Sequence, residues 1–134
     1  MPETPHVKSF LIADSVFQQT SGKWCIIGVF GRIEAEAFPC VHPSLGLYVK
    51  LADARGTFEV TVEFQDSTGQ VLARLTGLRV ESKDPLAEPE FGVQVQQLPI
   101  PTAGAYFFKL YFDDRLCPDD IRLTARQTKP APQS

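Results

Sequence analysis

The chain has 134 residues, of which 43% are hydrophobic and 22% are charged, and its formal net charge is -3 at pH 7. This length fits one domain that buries enough apolar surface to fold without disulfides or metals. The acidic balance and the lack of a run of Lys and Arg argue against nucleic-acid binding, which needs a basic face.

The sequence also carries no sign of a membrane span or of export. No apolar stretch reaches the roughly 18 to 20 residues that a transmembrane helix requires. The first residues, MPETPHVKSF, lack the basic start and apolar core of a signal peptide. The three cysteines, Cys25, Cys40 and Cys117, are an odd number. We therefore expect a cytoplasmic protein whose cysteines form no intramolecular disulfide.

Two apolar segments open the chain on either side of a turn. VKSFLIADSVF and KWCIIGVFGRI flank QTSG, in which Gly22 can take the positive φ of a tight turn. Both segments are rich in β-branched and aromatic residues, which favour strands. The sequence predicts that they form a strand pair.

The middle of the chain shows the alternation of half-buried strands. In TFEVTVEF, four apolar residues point to one face, and the Thr and Glu residues between them point to the other. SLGLYVKLAD alternates in the same way, and ARG connects the two segments. QDSTGQ is a turn that leads to a third, less regular strand, VLARLTGLRV.

The last part of the chain continues the same pattern. SKDPLAEPE and FPCVHPS read as loops because of their prolines, whereas FGVQVQQL, AYFFKLYF and IRLTAR read as strands. Seven or eight short strands without a long helix predict an all-β, antiparallel, immunoglobulin-like β-sandwich. We expect one domain over residues 7–126, a flexible N-terminus over 1–6 and a disordered tail over 127–134.

Tyr106 is a candidate structural residue. It follows Gly104 by two positions at the start of an apolar strand, where immunoglobulin-like sandwiches often place a tyrosine whose hydroxyl caps nearby backbone. This position would make it the opening of the sixth strand of an immunoglobulin-type order. An ordinary core tyrosine fits the same sequence.

Several segments resemble a known family. FLIADSV, the GK before WCIIGVFGRI, the FP at residue 39 and the closing LPIPTAGAYFFKLYFDD are similar to a family of small bacterial β-sandwich proteins of uncharacterised function. The resemblance covers about residues 7 to 126. It implies the fold and a bacterial, cytoplasmic origin, and it brings no activity and no functional residues.

Catalysis and zinc binding find little support in the sequence. Cys40 and His42 are close enough in the chain to form a nucleophile and base, but no third group that orients the histidine is identifiable. Together with Cys25 and Cys117 they supply four possible zinc ligands, whose spacing matches no compact zinc module. We expect a protein that is not an enzyme and has no cofactor.

Aspartates offer a weak alternative. Asp113, Asp114, Asp119 and Asp120 flank one predicted hairpin, and hard cations such as calcium bind such oxygen clusters. Turn chemistry explains the same residues, so these are weak calcium candidates. Asp14 interrupts an apolar strand, and we expect it to play a structural part by accepting loop amides or forming a bulge.

The run WCIIGVF has apolar residues on both faces and needs a cover on each. If it pairs with FLIA, one sheet carries an apolar outer patch that includes Leu11, Trp24, Ile26, Ile27 and Val29. Either the predicted loops SKDPLAEPE or FPCVHP cover this patch, or a second copy of the chain does so in a two-fold dimer. The second cover is favoured because both loops are charged or rich in proline.

The sequence therefore predicts a non-enzymatic protein-binding or assembly module that self-associates. The alternative is a ligand-binding sandwich that takes calcium, lipid or carbohydrate at its loop end.

Overall fold

A computed structural model describes residues 5–128, which contain nine β-strands and no helix. A membrane-crossing helix is thus absent from this part of the chain. The strands are β1 (His6–Gln18), β2 (Trp24–Val29), β3 (Arg32–Ala35), β4 (Cys40–Ala52), β5 (Gly56–Asp66), β6 (Val71–Ser82), β7 (Glu90–Ile100), β8 (Gly104–Phe112) and β9 (Arg115–Gln127). The expected flexible segments fall largely on residues 1–4 and 129–134, which lie outside the described residues.

The strands form two sheets that pack face to face. One sheet has four strands in the order β2-β1-β4-β7, and the other has five in the order β3-β9-β8-β5-β6. The predicted alternation holds in β4, β5 and β8, whose apolar residues fill the space between the sheets. The largest fully buried side chains include Phe64, Phe108, Phe112, Leu47, Leu98 and Leu123.

The chain changes sheets after β2, which corrects one prediction. KWCIIGVFGRI was expected to form a single strand, but the segment divides into β2 and β3. The N–H of Phe30 donates to the carbonyl of Ile12 in the first sheet, and the carbonyl of Gly31 accepts from the N–H of Thr124 in the second. As a result β3 pairs with β9 in parallel, within a sandwich that is otherwise antiparallel.

Two strands are longer than the sequence indicated. The expected loop FPCVHPS contains the start of β4, because backbone from Cys40 onward pairs with β7. Pro43 is tolerated there because β1 pairs with β4 no further than Gly46, so no ladder bond to β1 is lost. Strand β9 begins at Arg115, directly after a two-residue turn from β8, instead of at Ile121.

Tyr106 occupies the predicted corner at the start of β8. Its hydroxyl donates to the carbonyl of Thr102 at 2.6 Å and accepts from the N–H of Thr102 at 3.1 Å. The ring is buried and stacks on Phe64, with 5.2 Å between ring centroids. Strand β8 is the eighth strand along the described residues, and it is the sixth when the count begins at β3.

Candidate functional site

The β1–β2 hairpin leaves its own sheet and lies over the sheet's outer face. Strand β1 pairs with β4 as far as Ala13 opposite Gly46, and its remaining residues pair only with β2. Beyond Ala13, the side chain of Gln94 in β7 links the hairpin to the sheet through two hydrogen bonds. Its Oε1 accepts from the N–H of Val16 at 3.3 Å, and its Nε2 donates to the carbonyl of Asp14 at 2.9 Å.

Two glycines make room for this hairpin. A Cβ atom on Gly46 would lie 2.6 Å from Cγ2 of Val16, and a Cβ on Gly92 would lie 2.6 Å from Cζ3 of Trp24. Real Cβ atoms do not approach other atoms so closely, so the two positions require glycine as long as the hairpin stays in place. Trp24 also meets Tyr48 edge to face, with 6.3 Å between the ring centroids.

The domain's own four-stranded sheet covers one face of WCIIGVF, whereas the sequence led us to expect a loop or a second copy of the chain as the cover. Trp24 and Ile26, together with Leu11, are half-buried in a second apolar cluster on the outer face of the four-stranded sheet. Three of the five predicted interface residues therefore pack against the domain's own sheet, because the hairpin folds back on it.

The opposite face of the hairpin is exposed. Phe17, Ile27 and Val29 have exposed fractions of 46%, 55% and 61%, and we call these three residues the hairpin patch. Phe17 lies directly opposite Cys25, so it shares a face with Ile27 and Val29. Strand β2 is also the edge of its sheet, and within the described residues nothing pairs with its outer edge. The patch thus combines apolar side chains with a free strand edge.

A buried polar cluster lies on the outer face of the five-stranded sheet. Glu63 alternates away from the core, and the sequence placed it in water, yet it is only 7% exposed. Its Oε2 accepts from Nε and a terminal nitrogen of Arg74 at 2.9 and 2.6 Å, and its Oε1 accepts from Gln65 at 2.9 Å. Tyr111 of β8 completes the cluster.

The hydrogen bonds set the charge state of this cluster. Burial by itself would raise the pKa of Glu63, but the bonds from Arg74, Gln65 and Tyr111 outweigh it and hold that pKa below its usual value. Burial, followed by the contact with Glu63, raises the pKa of Tyr111. Glu63 is therefore an ionised, fully paired carboxylate, which suits a cross-strand brace and not a proton-transfer group.

Of the four calcium candidates, Asp113 and Asp120 have structural contacts. Asp113 and Asp114 form the β8–β9 turn with positive φ angles of 48° and 66°, which aspartate tolerates. Asp113 also accepts the N–H of Glu59 at 2.9 Å. Asp119 and Asp120 lie inside β9, where Asp120 forms an ion pair with Lys109 at 3.6 Å. Among the described residues, no group of three or more possible ligands is placed to hold a metal.

Asp14 and the candidate nucleophile pair, Cys40 and His42, likewise belong to no group of metal ligands among the described residues. Asp14 is exposed, and its carboxylate lies over Gly28, where a Cβ atom would be 2.3 Å from Oδ2. The structural part expected of Asp14, accepting loop amides or forming a bulge, stays a prediction. The ring of His42 packs beside Phe30, with 5.8 Å between centroids, and Cys40 packs against the core.

Two sheets with this strand order, closed by a tyrosine corner, define an immunoglobulin-like β-sandwich. The chain belongs to DUF6941, a family of unknown function whose model matches residues 8–124. This confirms the resemblance to an uncharacterised family that the sequence motifs indicated. No curated protein matches the chain.

Two solved structures are similar to this chain, but their sequence identities to it are low. An immunoglobulin-like protein from Pseudomonas aeruginosa is 17% identical, with a TM-score of 0.45 over 93% of this chain and 98% of that one. The sensor domain of an anti-sigma factor from Pseudobacteroides cellulosolvens is 11% identical, with a TM-score of 0.40 over 71% of this chain and 94% of that one. Nothing in the family or the fold points to catalysis.

Proposed function

We propose that this domain is a non-enzymatic protein-binding module that self-associates in the cytoplasm through its β1–β2 hairpin. The observation that carries the proposal is the hairpin patch beside the free edge of β2. Apolar patches on a soluble domain mark contact sites more often than isolated apolar residues do. An unpaired strand edge is in addition a template for pairing with another chain.

A second copy of the chain is the simplest partner for this geometry, because it brings the same free β2 edge and the same apolar side chains. Two β2 edges can pair antiparallel around a two-fold axis, which places the hairpin patches of both copies on the same side of the joined sheet. Side chains on neighbouring strands then contact each other across the axis, so backbone hydrogen bonds and apolar burial act together.

Light scattering coupled to size-exclusion chromatography tests this proposal. The wild-type chain is expected to elute as a dimer at tens of micromolar, and Ile27→Glu is expected to shift it to a monomer because each dimer would bury two carboxylates. Leu116→Glu is the matched control, since Leu116 is 52% exposed but lies on β9, away from the hairpin. A wild-type monomer, or equal behaviour of the two variants, would reject self-association through the hairpin.

A further inference from the structure

A depression of about 390 Å3 lies over the buried polar cluster on the outer face of the five-stranded sheet. This volume falls within the range of about 300 to 1,000 Å3 that is usual for small-molecule sites. Side chains from β5, β6, β8 and the β8–β9 turn line the depression, and they are Thr61, Glu63, Arg74, Thr76, Tyr111 and Asp114. Each of them carries a polar group, so the depression does not select a lipid chain or another apolar molecule.

A β-bulge in β6 shapes the depression. Two residues of β6, Thr76 and Gly77, lie opposite Thr61 alone, where the register between β5 and β6 shifts. Gly77 has a positive φ of 82° and no side chain, and nothing lies within 4 Å of a Cβ atom there. The bulge therefore leaves the sheet surface beside Thr61 open. Bulges of this kind are frequent next to functional sites, where they redirect side chains.

Tyr111 gives the depression a flat apolar surface. Its backbone lies opposite Thr61 in β5, whereas its hydroxyl donates to Glu63, which is two residues further along the same strand. The half-buried ring therefore leans across the sheet and does not stand upright. The bond to Glu63 orients the ring before a ligand arrives, and one ring face remains for a flat ligand to stack on.

The groups around this ring include both hydrogen-bond donors and acceptors. Glu63 engages Nε and one terminal nitrogen of Arg74 through a single oxygen, whereas a guanidinium group carries five N–H donors. The Arg74 side chain is 55% exposed, so its remaining donors can reach a ligand. Thr61 and Thr76 add hydroxyl groups, and Asp114 adds a carboxylate at the rim. This mixture suits a ligand that presents several hydroxyl groups at once.

The charges of the lining favour a neutral ligand. Two carboxylates, Glu63 and Asp114, stand against one guanidinium group, so an anion on Arg74 would be repelled from two sides. An organic cation gains little from Glu63, because its oxygens already accept bonds from Arg74 and Gln65. Among the described residues, no group of three or more possible ligands is placed to hold a metal ion.

We propose that this depression binds the pyranose ring of a neutral sugar, which stacks on Tyr111 and bonds through its hydroxyl groups to Arg74 and Asp114. The site lies on the sheet that does not carry the hairpin, so it does not depend on self-association. Strands form most of it, which distinguishes it from the ligand site at the loop end that the sequence left as an alternative.

The test is an NMR titration of the full chain with the methyl pyranosides of glucose, galactose and mannose, each in both anomeric forms. At least one of these glycosides is expected to saturate the protein with a Kd of about 1 mM, which is ordinary for a ligand of about a dozen heavy atoms. Backbone amide shifts are expected at the lining residues. Saturation transferred from the protein should be strongest at the protons of one sugar face, because that face lies on Tyr111.

Tyr111→Ala should weaken this binding about tenfold, because it removes the stacking surface. Phe107→Ala is the matched control, since Phe107 is a half-buried aromatic residue on the same face of β8 but outside the depression. If Tyr111→Ala does not fold, Arg74→Lys takes its place. That variant keeps the positive charge on an exposed side chain but lacks the remaining guanidinium donors, so it should also bind the sugar more weakly than Phe107→Ala does.

The charge of the ligand is tested with the methyl glycoside of the matching uronic acid, which has the same ring with a carboxylate. It is expected to bind several-fold more weakly than the neutral sugar because of Asp114 and Glu63. Three results would overturn the proposal. They are no saturable binding of any of the glycosides, a loss in Tyr111→Ala or its replacement no larger than that in Phe107→Ala, and binding of the uronate as tight as that of the neutral sugar or tighter.

Discussion

At the scale of single residues, Tyr106 shows what local sequence can predict. A glycine two positions before a tyrosine at the start of an apolar strand was enough to indicate the corner, because every partner in it lies within a few residues. The hydroxyl bonds only to Thr102, four positions upstream. Such contacts need no knowledge of how distant strands pair.

Tyr106→Phe is expected to lower the free energy of unfolding by about 1 kcal/mol, since it removes the bond and leaves backbone groups of Thr102 without their partner. Chemical denaturation measures this loss. Tyr48→Phe is the comparison, because its buried ring also loses its hydroxyl bond, to the carboxylate of Glu90, outside any tyrosine corner. A loss for Tyr106→Phe no larger than that for Tyr48→Phe would contradict a special contribution of the corner.

Glu63 shows what a single strand cannot predict. Alternation in TFEVTVEF placed its side chain correctly on the outer face, but the inference that this face meets water was wrong at this position. Arg74 and Tyr111 reach it from the strands on either side. Those neighbours are known only when the register of β5 with β6 and β8 is known.

The lowered pKa of Glu63 predicts a loss of stability in acid. The folded state holds this carboxyl ionised more strongly than the unfolded state does, so the stabilisation is fully present above the usual value of 4.5 and is lost as pH falls through the lower folded pKa. The difference in unfolding free energy between the wild type and Glu63→Gln should therefore shrink below about pH 4.5. Denaturation at several pH values checks this, with Glu59→Gln, an exposed carboxylate on the same strand, as control. A difference that stays constant from pH 7 to pH 3 would argue against the brace.

At the scale of elements, the pairing of β1 with β2 was predictable, whereas the fold of their hairpin over the sheet was missed. The signal was nevertheless present in SLGLYV and FGVQV. Each contains a glycine inside an alternating strand, which often marks the close approach of another part of the backbone. Gly46 and Gly92 are those residues, and Val16 and Trp24 are what approach them.

Gly46→Ala is expected to destabilise the domain by about 1 to 3 kcal/mol, the usual cost of adding a group to a packed interior. The added methyl would lie 2.8 Å from the backbone nitrogen of Val16, which a side-chain rotation cannot relieve. Trp24 is the single tryptophan, so a red shift of its emission would report that the hairpin has lifted. Gly31→Ala is the control, since nothing lies within 4 Å of a Cβ atom there. Equal stability of the two variants would show that the hairpin does not press on Gly46.

At the scale of the whole molecule, the two-sheet class followed from strand number and alternation, but the distribution of strands between sheets did not. β3 joins β9 in parallel because the chain crosses between the sheets at Phe30 and Gly31, and neither residue carries a distinctive pattern. Properties that depend on how the strands are divided between the two sheets therefore could not be predicted from the sequence.

The reactivity of the Cys117 thiol can report how readily the two sheets separate. It is 3% exposed within the core, and burial raises the pKa of its thiol, so the reactive thiolate is scarce in the folded state. Cys25 and Cys40 are half-buried and free. We expect all three thiols to react with a disulfide reagent in denaturant, and Cys117 to react last under native conditions.

The labelling rate of Cys117 should then follow the opening of the core. Tyr106→Phe and Gly46→Ala, which are expected to destabilise the domain, should both accelerate it if opening and closing are fast relative to the chemical step. Mass spectrometry of peptides from samples quenched over time separates Cys117 from the other two cysteines. If Cys117 reacts as fast as Cys25 in the native wild type, or its rate is unchanged in both variants, then it is labelled through a local opening and the sheets need not separate.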